Sequence, residues 1–159
     1  MKNAFFILVF FSSTVEVFSQ KIDLYYRDRA GNSINVPDSS YYDIEEKPKN
    51  FILRISELDM AERYAVVDVY RLMLDQDGTS VREHFYESHK LDQFVDYGHF
   101  VEPSSPINIE RMLLSDINRF LYTAGLSFSV CIVKKRQFIR VKTIEDCECQ
   151  STFVIQYEE

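Results

Sequence analysis

The sequence predicts an α+β domain: a mostly antiparallel β-sheet with one amphipathic helix, residues 108–124, packed on it. Three observations predict it. Apolar residues recur at helical spacing through Ile109, Leu113, Ile117, Phe120, Leu121 and Ala124, while Glu110, Arg111, Ser115, Asp116 and Arg119 fall on the other side. Alternating or β-branched runs precede that stretch. Three more apolar runs follow it, LSFSVCIV, FIRVKTI and STFVIQY, and they read as a three-stranded antiparallel meander. The alternative is a β-sandwich with a crossover helix, against which the scarcity of turn glycines counts.

The first element is an address rather than a fold. Lys2 gives a positive start, FFILVFF is a short apolar core, and Val17 and Ser19 precede a cut before Gln20. Residues 1–19 therefore read as a signal peptide and residues 20–159 as a single globular domain. So short an apolar run cannot cross a hydrocarbon layer of ~30 Å, so no transmembrane anchor is expected in the mature chain. The expected location is secreted or periplasmic.

From there KIDLYYR alternates as a strand, DRAGN turns, and Ser33–Val36 returns to Pro37. Residues 38–50 are polar and read as a surface loop, with Tyr41, Tyr42 and Asp43 as a contact patch. Phe51, Leu53 and Ile55 mark a strand, and so does Arg63–Leu74. Asp75, Asp77 and Gly78 make a turn into a returning strand over 79–87. Residues 88–97 read as a short helix stopped by Gly98. Ser105 or Asn108 caps the long helix, and Gly125 ends it in the left-handed conformation.

Composition excludes whole classes of function. The chain has four glycines, each assigned to a turn or helix end, so none remains for a phosphate-cradling loop, a dinucleotide fingerprint or a nucleophile elbow. No nucleotide or other cofactor is called for. A net charge of −7 argues against nucleic-acid binding, which requires cations to neutralise phosphate. All ten tyrosines and eight of the thirteen phenylalanines fall in residues 20–159 and supply ample core, but with no tryptophan there is no indole platform for stacking a sugar.

Few residues carry chemistry. His84, His89 and His99 lie among Glu83, Glu87, Asp92 and Asp96, but their spacing fits no zinc site. Asp75-x-Asp77-Gly78 matches part of a calcium loop, yet the flanking ligand positions fall on Met73 and His84. Lys134, Lys135, Arg136, Arg140 and Lys142 form a basic patch, read as a solvated hairpin tip that discourages strand pairing. With Val133 facing Phe138 in the meander, Cys131 lies too far from the other two cysteines for a bridge. Cys147 and Cys149 are then the disulfide candidates.

These features point to an exported, non-catalytic binding or structural module of the cell envelope or extracellular space. Its expected partner is a protein or envelope component. Two other classes compete: a small hydrolase using histidines and carboxylates of 83–99, and an apolar-ligand carrier with a hollow interior.

Overall fold

The computed structural model describes residues 21–38, 41–44, 47–74, 81–111, 123–136 and 147–157. They form eleven strands: β1 Lys21–Arg27, β2 Ser33–Val36, β3 Tyr41–Ile44, β4 Asn50–Ser56, β5 Arg63–Leu74, β6 Val81–Leu91, β7 Phe94–Asp96, β8 Phe100–Pro103, β9 Ile107–Asn108, β10 Thr123–Lys134 and β11 Cys149–Tyr157. The strands make two sheets. The first has the order β2-β1-β4-β8-β7, with β9 also on β4, and the second β3-β11-β10-β5-β6. Every pairing is antiparallel except the parallel one between β3 and β11.

Period-two alternation explains the two layers. In the first sheet Ile22, Leu24 and Tyr26 are buried and stand opposite Ile55, Leu53 and Phe51. In the second, Val69, Phe128 and Phe153 form one cross-strand row, and Val67 lies opposite Val130. Both inward sets belong to one hydrophobic cluster. The Phe51 and Phe128 rings meet across the gap, their centroids 4.6 Å apart and tilted by 50°. Tilted contact suits the quadrupoles of two aromatic rings better than face-to-face stacking. The domain is therefore a pair of facing sheets around one core.

This corrects the α+β expectation. The described residues are nearly all β, and among them no amphipathic helix packs on either sheet. Asn108 lies in β9 and Thr123 and Ala124 in β10, while residues 112–122 of the expected helix lie outside the described residues. The meander residues Leu126, Phe128, Val130, Ile132, Phe153 and Ile155 are buried against the first sheet, where a helix was expected. The helix expected over 88–97 is also replaced. Residues 88–91 continue β6 along β5, and 94–96 form β7. The pairing partner decides this: an edge strand keeps its ladder bonds on one side and tolerates polar residues on its outer face, so Ser88 and Lys90 do not break it. Tyr41–Ile44, expected in a loop, is an edge strand instead. In the alternative sandwich too, the crossover helix has no counterpart among the described residues.

Two glycines do the work of turns. Gly31 takes φ +87° in a turn closed by Asp28, whose carboxylate accepts the backbone and side-chain N–H groups of Asn32 at 2.8 and 2.9 Å. Gly98, at φ +91°, turns β7 into β8, with the Asp96 carboxylate accepting its N–H at 2.7 Å. It ends no helix.

The order of the C-terminal strands also differs from the expected meander. β10 pairs directly with β11 on one side and β5 on the other. Residues 137–146, which include the expected middle strand, lie outside the described residues. So do residues 1–19, the expected signal peptide.

Candidate binding site

The outward side of the first sheet carries the residues that the core does not use. On β1 these are Asp23, Tyr25 and Arg27, and on β4 they are Arg54, Ile52 and Asn50, with Asp23 directly opposite Arg54 and Tyr25 opposite Ile52. The β8 strand adds Phe100 and Glu102, and Tyr97 follows β7. The Arg54 guanidinium lies 3.9 Å from the Phe100 ring centroid and 4.6 Å from that of Tyr25. Its Nε and Nη2 both donate to Glu102 Oε1, at 3.1 and 2.7 Å. Planar guanidinium against two aromatic rings and a carboxylate fixes the side chain in one orientation. Tyr97 continues the stack, its ring 5.2 Å from Phe100 at 28°, yet 56% of its surface is exposed.

Beside this stack is a cleft of about 460 Å³, lined by Arg27, Lys49, Asn50, Ile52, Tyr97 and the segment from Glu102 to Pro106. That volume lies within the range of small-molecule sites, ~300–1,000 Å³. Its walls are held from outside. Lys49 Nζ pairs with Glu110 at 2.7 Å, the Lys49 carbonyl accepts the Ile109 N–H at 2.8 Å, and the Ser104 N–H donates to the Gln93 carbonyl at 2.9 Å. Pro103 and Pro106 restrict the backbone of the wall between them. Ile52 and the tyrosine ring offer apolar surface, and Arg27, Asn50, Ser104 and Ser105 offer hydrogen-bond donors.

The histidines do not converge. His84 and His89 sit on β6 of the second sheet, opposite Arg71 and Val67, and His99 is in the β7–β8 turn of the first. His89 Nε2 meets Glu87 Oε1 at 2.7 Å, a contact between two side chains of one strand. Among the described residues no three His, Cys, Asp or Glu side chains are grouped to hold a metal ion. Asp75, Asp77 and Gly78 lie outside the described residues. Tyr42 packs against the core from β3, so the expected Tyr41–Tyr42–Asp43 patch is in part a packing element.

Two of the five bases in the expected basic patch, Lys134 and Lys135, are committed to the fold. Lys135 Nζ donates to the Ala61 carbonyl at 2.7 Å, and Lys134 pairs with Glu148 at 3.3 Å. Glu148 also takes the Arg63 guanidinium, and that hydrogen bond, helped by Lys134, holds its carboxyl below the ordinary glutamate range. Any stability this adds is present at neutral pH and is lost as pH falls through the lowered value. Arg140 and Lys142 lie outside the described residues. A second cleft, about 710 Å³, is lined by Asp59, Glu62, Arg63, Lys134, Lys135 and Arg136, so acids offset its bases.

The cysteine expectation is corrected as well. Cys131 is bonded to Cys147, with Cα atoms 5.4 Å apart, and Cys149 is a free thiol. The physical reason is strand order. The Glu148 N–H donates to the Ile132 carbonyl at 2.8 Å, so the 147–149 segment returns directly beside residues 131 and 132. Cys149 stands opposite Ile132 and packs against the core, whereas Cys131, one position along β10, points to the other face. Thiol and disulfide are thus on opposite sides of the sheet. Burial, with the Asp38 carboxylate nearby, pushes the Cys149 thiol up, which leaves little of the reactive thiolate. Peptide mapping of the non-reduced protein is expected to show a Cys131–Cys147 crosslink. Cys149 should be alkylated slowly when folded and quickly in denaturant. A Cys147–Cys149 crosslink would contradict the strand order.

The stack and the cleft were within reach of sequence reasoning. Their signal is the outward half of KIDLYYR and NFILRIS, where Tyr25, Arg27 and Arg54 interrupt what would otherwise be small polar positions. The contribution of Tyr97 was hidden by the helix expected over 88–97, and that of Glu102 by reading VEPSSP as a loop. No protein-family model matches the chain, and no curated protein matches it significantly.

Proposed function

We propose that this protein is an exported, non-catalytic binding module whose recognition surface is the outer face of the first sheet. One observation carries the reading: an exposed aromatic ring, Tyr97, is held on a fixed stack at the lip of a cleft lined by donors and apolar surface. Binding surfaces gain from such rigidity, because an aromatic anchor that is already ordered loses little conformational entropy on contact.

Two features support export. Residues 1–19 have the pattern of a signal peptide. The Cys131–Cys147 bridge suits an oxidising compartment, since thiols in the cytosol are kept reduced. Among the described residues no helix is long and apolar enough to cross a membrane. The partner on this reading is a protein or other component of the envelope or extracellular space.

The rival classes have less behind them. A hydrolase would need two of the histidines and a carboxylate at one place, and among the described residues only His89 and Glu87 meet. A carrier of apolar ligands would need a hollow interior, whereas Phe51, Phe128 and Phe153 occupy the space between the sheets.

The test is capture by the immobilised mature chain from its own envelope fraction and medium. Wild type is expected to retain a component that Tyr97→Ala loses by about ten-fold or more, the scale of an interface anchor. The substitution should leave thermal stability within about 0.5 kcal/mol, as for an exposed site. Equal retention by both proteins would remove the proposed surface.

A further inference from the structure

Resting on the binding-module reading, we infer that the cleft takes an acidic sugar residue of a polysaccharide, its carboxylate on Arg27 and its ring against Tyr97. The charges in the cleft are the starting point. Glu102 is engaged by Arg54 and Lys49 by Glu110, both at 2.7 Å. Arg27 is exposed at the end of β1, lines the cleft with Asn50, and its guanidinium has no ion-pair or hydrogen-bond partner among the described residues. A guanidinium with all its donors available matches a carboxylate in two parallel bonds.

The neutral donors extend the match. Asn50 Oδ1 already accepts from Asn108 Nδ2 at 2.8 Å, which leaves the Asn50 amide nitrogen to donate. The hydroxyls of Ser104 and Ser105 both give and accept hydrogen bonds, as sugar hydroxyls require. The electron-rich face of Tyr97 suits the weakly positive C–H face of a pyranose. Tyr97 on Phe100 thereby supplies a stacking surface in a chain without tryptophan.

Sheet topology argues against a peptide strand as occupant. The floor of the cleft is β1 and β4, and β4 has β1 on one side and β8 and β9 on the other. The edge that β8 and β9 leave between them is only Ile52–Arg54, too short a run for strand addition, so a peptide would forgo most of the main-chain bonds that drive it. Recognition at this place is by side chains alone. The charge of −7 also denies the chain a general attraction for polyanions, so affinity for an acidic glycan has to be local.

The experiment is affinity electrophoresis of the mature chain through gels holding polygalacturonate, alginate, hyaluronate or neutral dextran, with polyglutamate as a competitor. At least one of the three acidic polysaccharides is expected to retard wild type, and dextran is not. Arg27→Ala should weaken that binding by about ten-fold or more, with Arg27→Lys in between, because a lysine keeps the charge and loses the fork. The Arg27 side chain makes no ion pair or hydrogen bond among the described residues, so unchanged circular dichroism of its variants separates lost binding from lost structure.

Retardation by none of the three, undiminished binding by Arg27→Ala, or displacement by polyglutamate at equal charge would each overturn the inference. If none of the polysaccharides binds while Tyr97→Ala still abolishes capture of an envelope component, the binding surface stands and only its acidic-sugar ligand falls.

Discussion

Phe128→Ala is expected to cost about 3–5 kcal/mol, the usual price of truncating a fully buried phenylalanine. Its ring is inaccessible to solvent and fills the middle of the gap between the sheets, against Phe51 from β4 and beside Val69 and Phe153 in its own sheet. Close packing leaves the neighbours little room to collapse into the vacancy, so a cavity penalty adds to the lost transfer energy. Domains of this size hold only ~5–15 kcal/mol in total, so the variant should be at the margin of folding. Urea denaturation is the measurement, with the midpoint falling and the slope unchanged. Phe85→Ala is the control, since Phe85 is 51% exposed on β6 and should change stability by no more than about 0.5 kcal/mol. A loss below ~1 kcal/mol at Phe128 would mean that the two sheets do not meet there.

Gly125→Ala is the second large effect. Gly125 lies in β10 where the register with β5 shifts, opposite Gln156 of β11. A Cβ at this position would overlap the carbonyl oxygen of Ile155 and lie 3.1 Å from Gln156 Cα. The obstacle is backbone, so no rotamer change relieves it, and the central pair β10–β11 has to part. Overpacking costs about 1–3 kcal/mol even where side chains can move, and this case should reach or exceed the upper end. The result also separates two roles for the glycine. At a left-handed helix end, Gly125→Asn would be tolerated, because asparagine adopts that conformation. In a crowded strand it should be at least as damaging as alanine. Thermal melts of both variants decide it, and an asparagine variant close to wild type would restore the helix end.

The inward half of this fold is legible in the sequence because period-two burial leaves a direct trace. Ile22, Leu24 and Tyr26, then Phe51, Leu53 and Ile55, alternate with polar neighbours, and the structure pairs them one for one. The edge strands are less legible. β3 and the end of β6 carry polar and charged residues because one side of each lacks a strand partner within its sheet, so Tyr41–Asp43 resembles a loop and Ser88–Leu91 a helix start. Strand order is not legible at all. Nothing in KKRQFIRVKTI announces that β10 will pair with β11 directly, and the cysteine pairing follows from that order. The candidate site suffers from the same gap. Tyr25, Arg54, Phe100 and Tyr97 come from four strands or their ends, and only the pairing of β1 with β4 and β4 with β8 brings them into one stack.

The outer surfaces of the two sheets each present an exposed aromatic ring, and this gives the capture experiment its internal control. Tyr97 stands on the first sheet at the lip of the cleft. Phe85 stands on the second, edge-on to Tyr70 at 5.6 Å. Tyr97→Ala and Phe85→Ala remove comparable exposed apolar area from opposite sides of the domain. Run side by side against the same envelope fraction, Phe85→Ala is expected to capture the wild-type component in full and Tyr97→Ala to lose it. Loss with Phe85→Ala and retention with Tyr97→Ala would place recognition on the second sheet and contradict the account.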